Sequence, residues 1–195
     1  MQRVEPLPKK FYDRNAVHVA PALVGCRLVC RGRVARIVET EAYVGEHDLA
    51  CHARVGRTAR TGVMYGDPGT AYVYLIYGIH PMLNAVCGPG AAPNAVLIRA
   101  AEPVVDASGS EPWLHPSASG PGNLTKALGV GLRDNRLDLC DPASPLFIAP
   151  RSERAKPKVV RTPRVGVDYS GIWATELLRF CEAGNRAVSR PRPPP

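Results

Sequence analysis

No run of this 195-residue sequence is apolar for long enough to span a membrane. The longest candidate, Ala71 to Ile76, is broken at Gly78, far short of the ~20 residues a spanning helix needs. The opening Met-Gln-Arg-Val-Glu-Pro has no apolar region behind it, so no secretory leader is expected and the cytoplasm is the expected compartment. Cysteine spacing of the metal-binding kind is also missing. Of the cysteines at 26, 30, 51, 87, 140 and 181, only Cys26 and Cys30 are close, and a C-x-x-x-C without a second pair is a poor zinc signature. They read as reduced thiols that pack as small hydrophobes. There is no internal repeat.

What is present is the composition of a globular protein, 45% hydrophobic and 22% charged. The length suits one domain over 1–195, with 1–15 and 190–195 expected as loose ends. The net charge of +8 points to a polyanionic partner, nucleic acid first.

The pattern predicts a helix from an Asp13 or Asn15 cap through Leu23, interrupted by Pro21. Leu28 to Cys30 begins a strand, and Arg31-Gly32-Arg33 is a tight turn. Val34 to Tyr43 alternates, with Ala35, Ile37, Glu39, Glu41 and Tyr43 on one face. Residues 44–69 form a long ordered loop, of the kind that carries function. Ala71 to Tyr77 and Met82 to Cys87 pair as a hairpin, and Ala95 to Ala101 is a third strand. Residues 103–120 read as a loop, and Gly120 to Leu128 as a helix entry. Pro142 to Ile148, Val165 to Val167 and Leu178 to Cys181 are expected as late strands. Hairpin-linked strands with few strong helices give an α+β fold: a single mixed domain with a curved antiparallel sheet flanked by helices, and a protruding hairpin.

Four constellations have chemistry in them. Glu41 and Tyr43 share a strand face, a carboxylate beside an aromatic, with Glu39 as a second acid; the bland alternative is a charged strand surface. His52 is followed by Arg54, Arg57 and Arg60, which suit a phosphate path. His47, Asp48 and His52 offer a metal-dependent hydrolase as an alternative, at a spacing that matches no zinc motif. Tyr72 and Tyr74 share a face and Tyr77 ends the strand beside a glycine turn, either as packing or as a wedge for a duplex. Asn84 and Arg99 on neighbouring strands are either structural polar groups or parts of a site.

Taken in order, RIVETEAY (36–43), HARVGR (52–57), PGTAYVYLIYG (68–78), Asn84, VLIRAAEP (96–103) and GPGNLTKAL (120–128) resemble the 3-methyladenine, or alkyladenine, DNA glycosylase family. The resemblance continues through Arg164 to Phe180 and covers roughly Leu23 to Ser189.

The resemblance implies a base-excision-repair enzyme that flips a damaged purine out of double-stranded DNA and hydrolyses its bond to the sugar. It implies Glu41 as the base that activates water, with Arg99 near that water. Tyr43, His52 and Tyr74 would hold the base, Asn84 would clash with the amino group of normal guanine, and Tyr77 would fill the gap in the duplex. Arg54, Arg57 and Arg60 are expected on the DNA backbone. No cofactor or metal is implied, and a monomer is expected. A non-catalytic nucleic-acid-binding protein on the same scaffold is the other alternative. Two departures touch the loops: Ala59 and Thr61 stand where proline and asparagine are common, and Pro81 follows the hairpin turn.

Overall fold

In the computed structural model the chain is described over residues 5–104, 112–152 and 156–193. These contain eight strands, β1 (Arg27–Cys30), β2 (Arg33–Val44), β3 (Ala71–Ile76), β4 (His80–Cys87), β5 (Asn94–Pro103), β6 (Leu146–Ala149), β7 (Val159–Thr162) and β8 (Arg179–Glu182). Three helices accompany them: α1 (Lys9–Tyr12), α2 (Ala16–Leu23) and α3 (Pro121–Leu128). All pairings are antiparallel, in the order β3-β4-β5-β2-β1-β6, with β8 bridging β2 and β7. The result is the α+β fold with a single curled sheet that the sequence leads one to expect.

β2 is the axis. One edge pairs with β5; the other pairs first with β1 and then, from Glu39 to Glu41, with β8. At that hand-over the β2–β5 ladder is irregular: Ile37 faces Ala101, Glu39 faces Ala100 and Thr40 faces Ile98. A bulge of this kind re-aims side chains. Ala35 and Ile37 join the main core, but so do Ala42 and Val44. Thr40 sides with them, donating from Oγ1 to Ala20 O on α2 at 2.8 Å. The core-facing positions thus switch from odd to even, separating Ala35 and Ile37 from Glu39, Glu41 and Tyr43. Strict alternation, which puts all five on one face, is corrected by the bulge.

α2 is capped by Asn15, whose Oδ1 accepts from Val17 N, and it buries Ala16, Val19, Ala20 and Leu23. It runs through Pro21 rather than stopping there. The lost donor costs a helical bond, and core burial on the same helix offsets that cost. Residues 5–15 are also packed rather than loose: Leu7 and Tyr12 are buried, and Leu7 N donates to Ile148 O at 2.7 Å. At the other end Arg192 donates from Nε to Val188 O at 3.1 Å, so the expected loose tail is tied down at least that far.

Tyr77 and Gly78 join β3 to β4 with φ of 52° and 73°, the paired positive values of a tight hairpin turn. Pro81 precedes the β4–β5 ladder, which begins at Asn84, so that ladder does not need its missing donor. Its carbonyl accepts from Thr125 Oγ1 at 2.9 Å, fastening α3 to the hairpin. The expected strand at 165–167 does not form; β7 lies upstream, and the segment after it is a loop that enters the site. Part of the expected 103–120 loop, 105–111, lies outside the described residues.

Candidate active site

A cavity of about 190 Å³ opens between the β3–β4–β5 face, the 44–69 segment and the loop after β7. That is room for a small ligand rather than one water. Tyr43, His52, Tyr74, Asn84 and Arg99 all line it, together with Arg60, Tyr72 and Tyr169.

The aromatic wall follows from strand period. Tyr72 and Tyr74, two apart on β3, put their ring centroids 5.3 Å apart, and His52 stands edge-on to Tyr74 at 4.5 Å. His52 Nδ1 and Tyr72 OH are 3.0 Å apart. Burial, with Arg60 and Arg54 adding to it, lowers His52 to about 4, so the ring is neutral at physiological pH. Asn84 is fixed by its Nδ2, which donates to Tyr72 O at 3.1 Å and Met82 O at 3.4 Å.

Glu41 is fully buried and does not itself line the cavity; its three partners, Tyr43, Arg99 and Val165, do. Its Oε2 accepts from Tyr43 OH at 2.9 Å and from Arg99 Nη1 at 3.4 Å, and its Oε1 accepts from Val165 N at 2.8 Å. A carboxylate stripped of water survives only with such partners. Glu39 is fully buried too. Burial raises its pKa, but Arg99, Arg179 and bonds from Ser189 outweigh this and hold it below the ordinary value. Here the charged-surface alternative fails: both acids are interior.

A second buried pair stands behind Tyr43. Arg164 donates to both oxygens of Asp48, at 2.6 and 2.8 Å, and to Ala42 O at 2.9 Å; its guanidinium lies 4.7 Å from the centre of the Tyr43 ring. Asp48 also accepts from Val44 N and Ala50 N, so it starts the 44–69 loop as a turn anchor. The three residues of the metal alternative have other partners. Asp48 is committed to Arg164, His47 packs against Trp173, and His52 turns to Tyr72. Among the described residues no three His, Cys, Asp or Glu side chains gather as a metal site.

The three loop arginines separate. Arg54 lies 5.9 Å from the Tyr169 ring and Arg57 5.9 Å from that of Tyr65, both exposed. Arg60 is exposed as well, and it also lines the cavity, 4.9 Å from the Tyr74 ring. Tyr77 stands apart from the cavity, 86% exposed at the hairpin tip, with Ile79 beside it at 68%.

Sequence reasoning passed over Arg164, Arg179, Ser189 and Val165. Arg164 sits in a basic stretch that looks like a solvated run, yet it is buried. Only its lone position after Pro163 and before an apolar segment distinguishes it.

Comparison with known proteins agrees with the geometry. The family described as methylpurine-DNA glycosylase (MPG) matches residues 10–186. The chain is similar to a Myxococcus xanthus protein named "Putative 3-methyladenine DNA glycosylase", at 48% identity over 192 residues, 96% of this chain and 95% of that one. Proteins of the same name from Anaeromyxobacter dehalogenans (50%; 96% of this chain, 88% of that one) and Methanocella arvoryzae (46%; 96% and 97%) are also similar.

Proposed function

The chain belongs to the methylpurine-DNA glycosylase family, and from that premise we propose that it is a base-excision-repair enzyme acting on double-stranded DNA. It flips an alkylated or deaminated purine into the cavity and hydrolyses the N-glycosidic bond, leaving an abasic site.

The observation that carries this reading is the Glu41 carboxylate held by residues that line an aromatic cavity. A carboxylate has about four acceptor directions. Tyr43 and Arg99 fill those of Oε2, and Val165 N fills one on Oε1. Among the described residues no protein donor takes the remaining direction of Oε1, and the attacking water is assigned to it, on the side of the cavity-lining residues that hold the carboxylate. As the bond between C1′ and the base nitrogen breaks, its electron pair leaves with the base and positive charge develops on the sugar. The buried carboxylate stabilises that charge. The water oxygen then bonds to C1′ and its proton passes to Glu41. Arg99 holds the carboxylate in place, and the departing base needs no metal.

The flipped base lies between Tyr43, Tyr74 and neutral His52; base stacking on such rings is worth about 1–3 kcal/mol each. Asn84, immobilised by its two carbonyl partners, excludes the 2-amino group of undamaged guanine. Tyr77 enters the duplex where the base has left, and exposed Arg54 and Arg57 meet phosphates. Arg60, exposed where it lines the cavity, joins that phosphate path. Among the described residues no lysine lines the cavity, which favours hydrolysis by water without strand cleavage.

Glu41→Gln tests the reading. Release of methylpurines from dimethyl sulfate-treated duplex DNA should fall by about 10³-fold, a loss of about 4 kcal/mol of transition-state stabilisation, while binding to the damaged duplex persists. Release at the wild-type rate removes Glu41 from the mechanism, and binding without release by the wild type leaves the non-catalytic alternative.

A further inference from the structure

Like Glu41, Glu39 does not line the cavity, and the two acids share Arg99, which does. Glu39 Oε1 accepts from Arg99 Nε at 2.9 Å, Arg179 Nε at 2.7 Å and Ser189 Oγ at 2.8 Å; its Oε2 accepts from Ser189 N at 2.7 Å. It has no exposure, and of its partners only Arg99 lines the cavity, so Glu39 reaches the site through Arg99. Ser189 touches both partners, since Arg99 Nη2 reaches its Oγ at 3.4 Å. Arg179 pins the same segment, donating to Ser189 O at 2.9 Å and Pro191 O at 2.8 Å. Ser189 lies past residue 186, where the family match ends.

We propose that Glu39 and Ser189 are positioning residues for base release, holding the Arg99 guanidinium so that it steadies Glu41 without clamping it. This rests on the reading of Glu41 as the base.

The bond lengths support a division of Arg99 between two carboxylates. It is 2.9 Å from Glu39 and 3.4 Å from Glu41, so its stronger bond goes to the acid that does no chemistry. Without Glu39, Arg99 would turn its free edge to Glu41 as a two-pronged ion pair. Such a pair is strong and lowers the basicity of the carboxylate. The other groups facing the two acids are Tyr43 on β2, Tyr74 on β3, Arg179 and Cys181 on β8, and Arg164, itself paired with Asp48. Burial pushes Cys181 up to about 12, so it stays neutral. The charges that matter are therefore Glu39, Glu41, Arg99 and Arg179.

The test follows single-turnover methylpurine release from dimethyl sulfate-treated duplex as pH is varied. Binding to a duplex carrying an abasic-site analogue and thermal melting are measured alongside. Glu39→Gln should lower the rate constant by about 10²-fold, the scale of an ångström-level misplacement, and move the acid limb to lower pH. Ser189→Ala should cost about fivefold, the worth of one hydrogen bond, and Ser189→Thr, which keeps the hydroxyl, should recover most of it. Binding should change little in all three. If Glu39→Gln does not fold, the Ser189 pair carries the test. Rates within about twofold of wild type, an unmoved acid limb, or losses matched by equal losses of binding or melting temperature overturn the proposal. Wild-type protein that releases no base would instead sink the glycosylase reading itself.

Discussion

Glu41 and Tyr77 belong to the same sheet, and their surroundings could hardly differ more. Glu41 has no exposure and is held by a tyrosine hydroxyl, a guanidinium and a backbone amide. Tyr77 is almost fully exposed and sits at φ 52°, a region a bulky side chain occupies only at a cost. Around Glu41, on the proposed reading, stability and function point the same way: the bonds that hold the fold also hold the proposed base. At the hairpin tip they oppose each other. Asn or Gly would suit the turn better, so a tyrosine there is explained by something outside the molecule.

That contrast is open to attack at several points. The largest effect should come from the interior. Arg164→Ala leaves Asp48 buried with an uncompensated charge, and stability should fall by about 3–5 kcal/mol. Chemical denaturation measures it; a loss under ~1 kcal/mol would mean the Asp48–Arg164 pair is not an anchor. At the tip the sign should reverse. Tyr77→Asn relieves the left-handed strain and should raise stability by up to ~1 kcal/mol. The same change should weaken binding to damaged duplex by about tenfold, as lost stacking implies. A variant both less stable and equally tight would collapse the contrast between tip and interior.

The sequence made much of this arrangement readable, through period and turn chemistry. Tyr72 and Tyr74 were bound to share a face, and Gly78 to turn the chain, although the strand ends at Ile76 and Tyr77 already belongs to the turn. α3 follows from Gly120-Pro121, and its end from Gly129 in the left-handed region. What could not be read was non-local. The bulge at Val38–Glu39 depends on β1 giving way to β8 along one edge, a choice made by tertiary pairing. For the same reason Arg164 looked like one of several exposed cations until Asp48 was brought to it from 116 residues away. Arg60 stays exposed, as its spacing from Arg54 and Arg57 suggested, but its place at the cavity wall against the Tyr74 ring depends on how the loop folds.

Smaller effects sharpen the picture of the wall between interior and tip. His52 is lowered to about 4 from an ordinary 6.5. Between those values the unfolded chain takes up a proton that the folded chain refuses. The contribution of His52 to stability is therefore complete above about pH 6.5 and lost as pH falls toward 4. An NMR titration should place its midpoint near 4, and Arg60→Ala should raise it; a midpoint near 6.5 would contradict the burial. The smallest change is expected at the rim. Arg57→Ala should leave the cavity unaffected and reduce the slope of log affinity against log salt by about 1, one phosphate contact.

Glu39 meets Ser189 across 150 positions of chain, Glu41 meets Val165 across 124, and Asp48 meets Arg164 across 116. Loops of that length close only when the intervening sheet is in place to reward them. A nascent or half-folded chain can carry every aromatic of the wall and still lack a mounted base. On the proposed reading the product, an abasic site, is itself damage, and these long-range bonds tie the release of a base to completion of the fold.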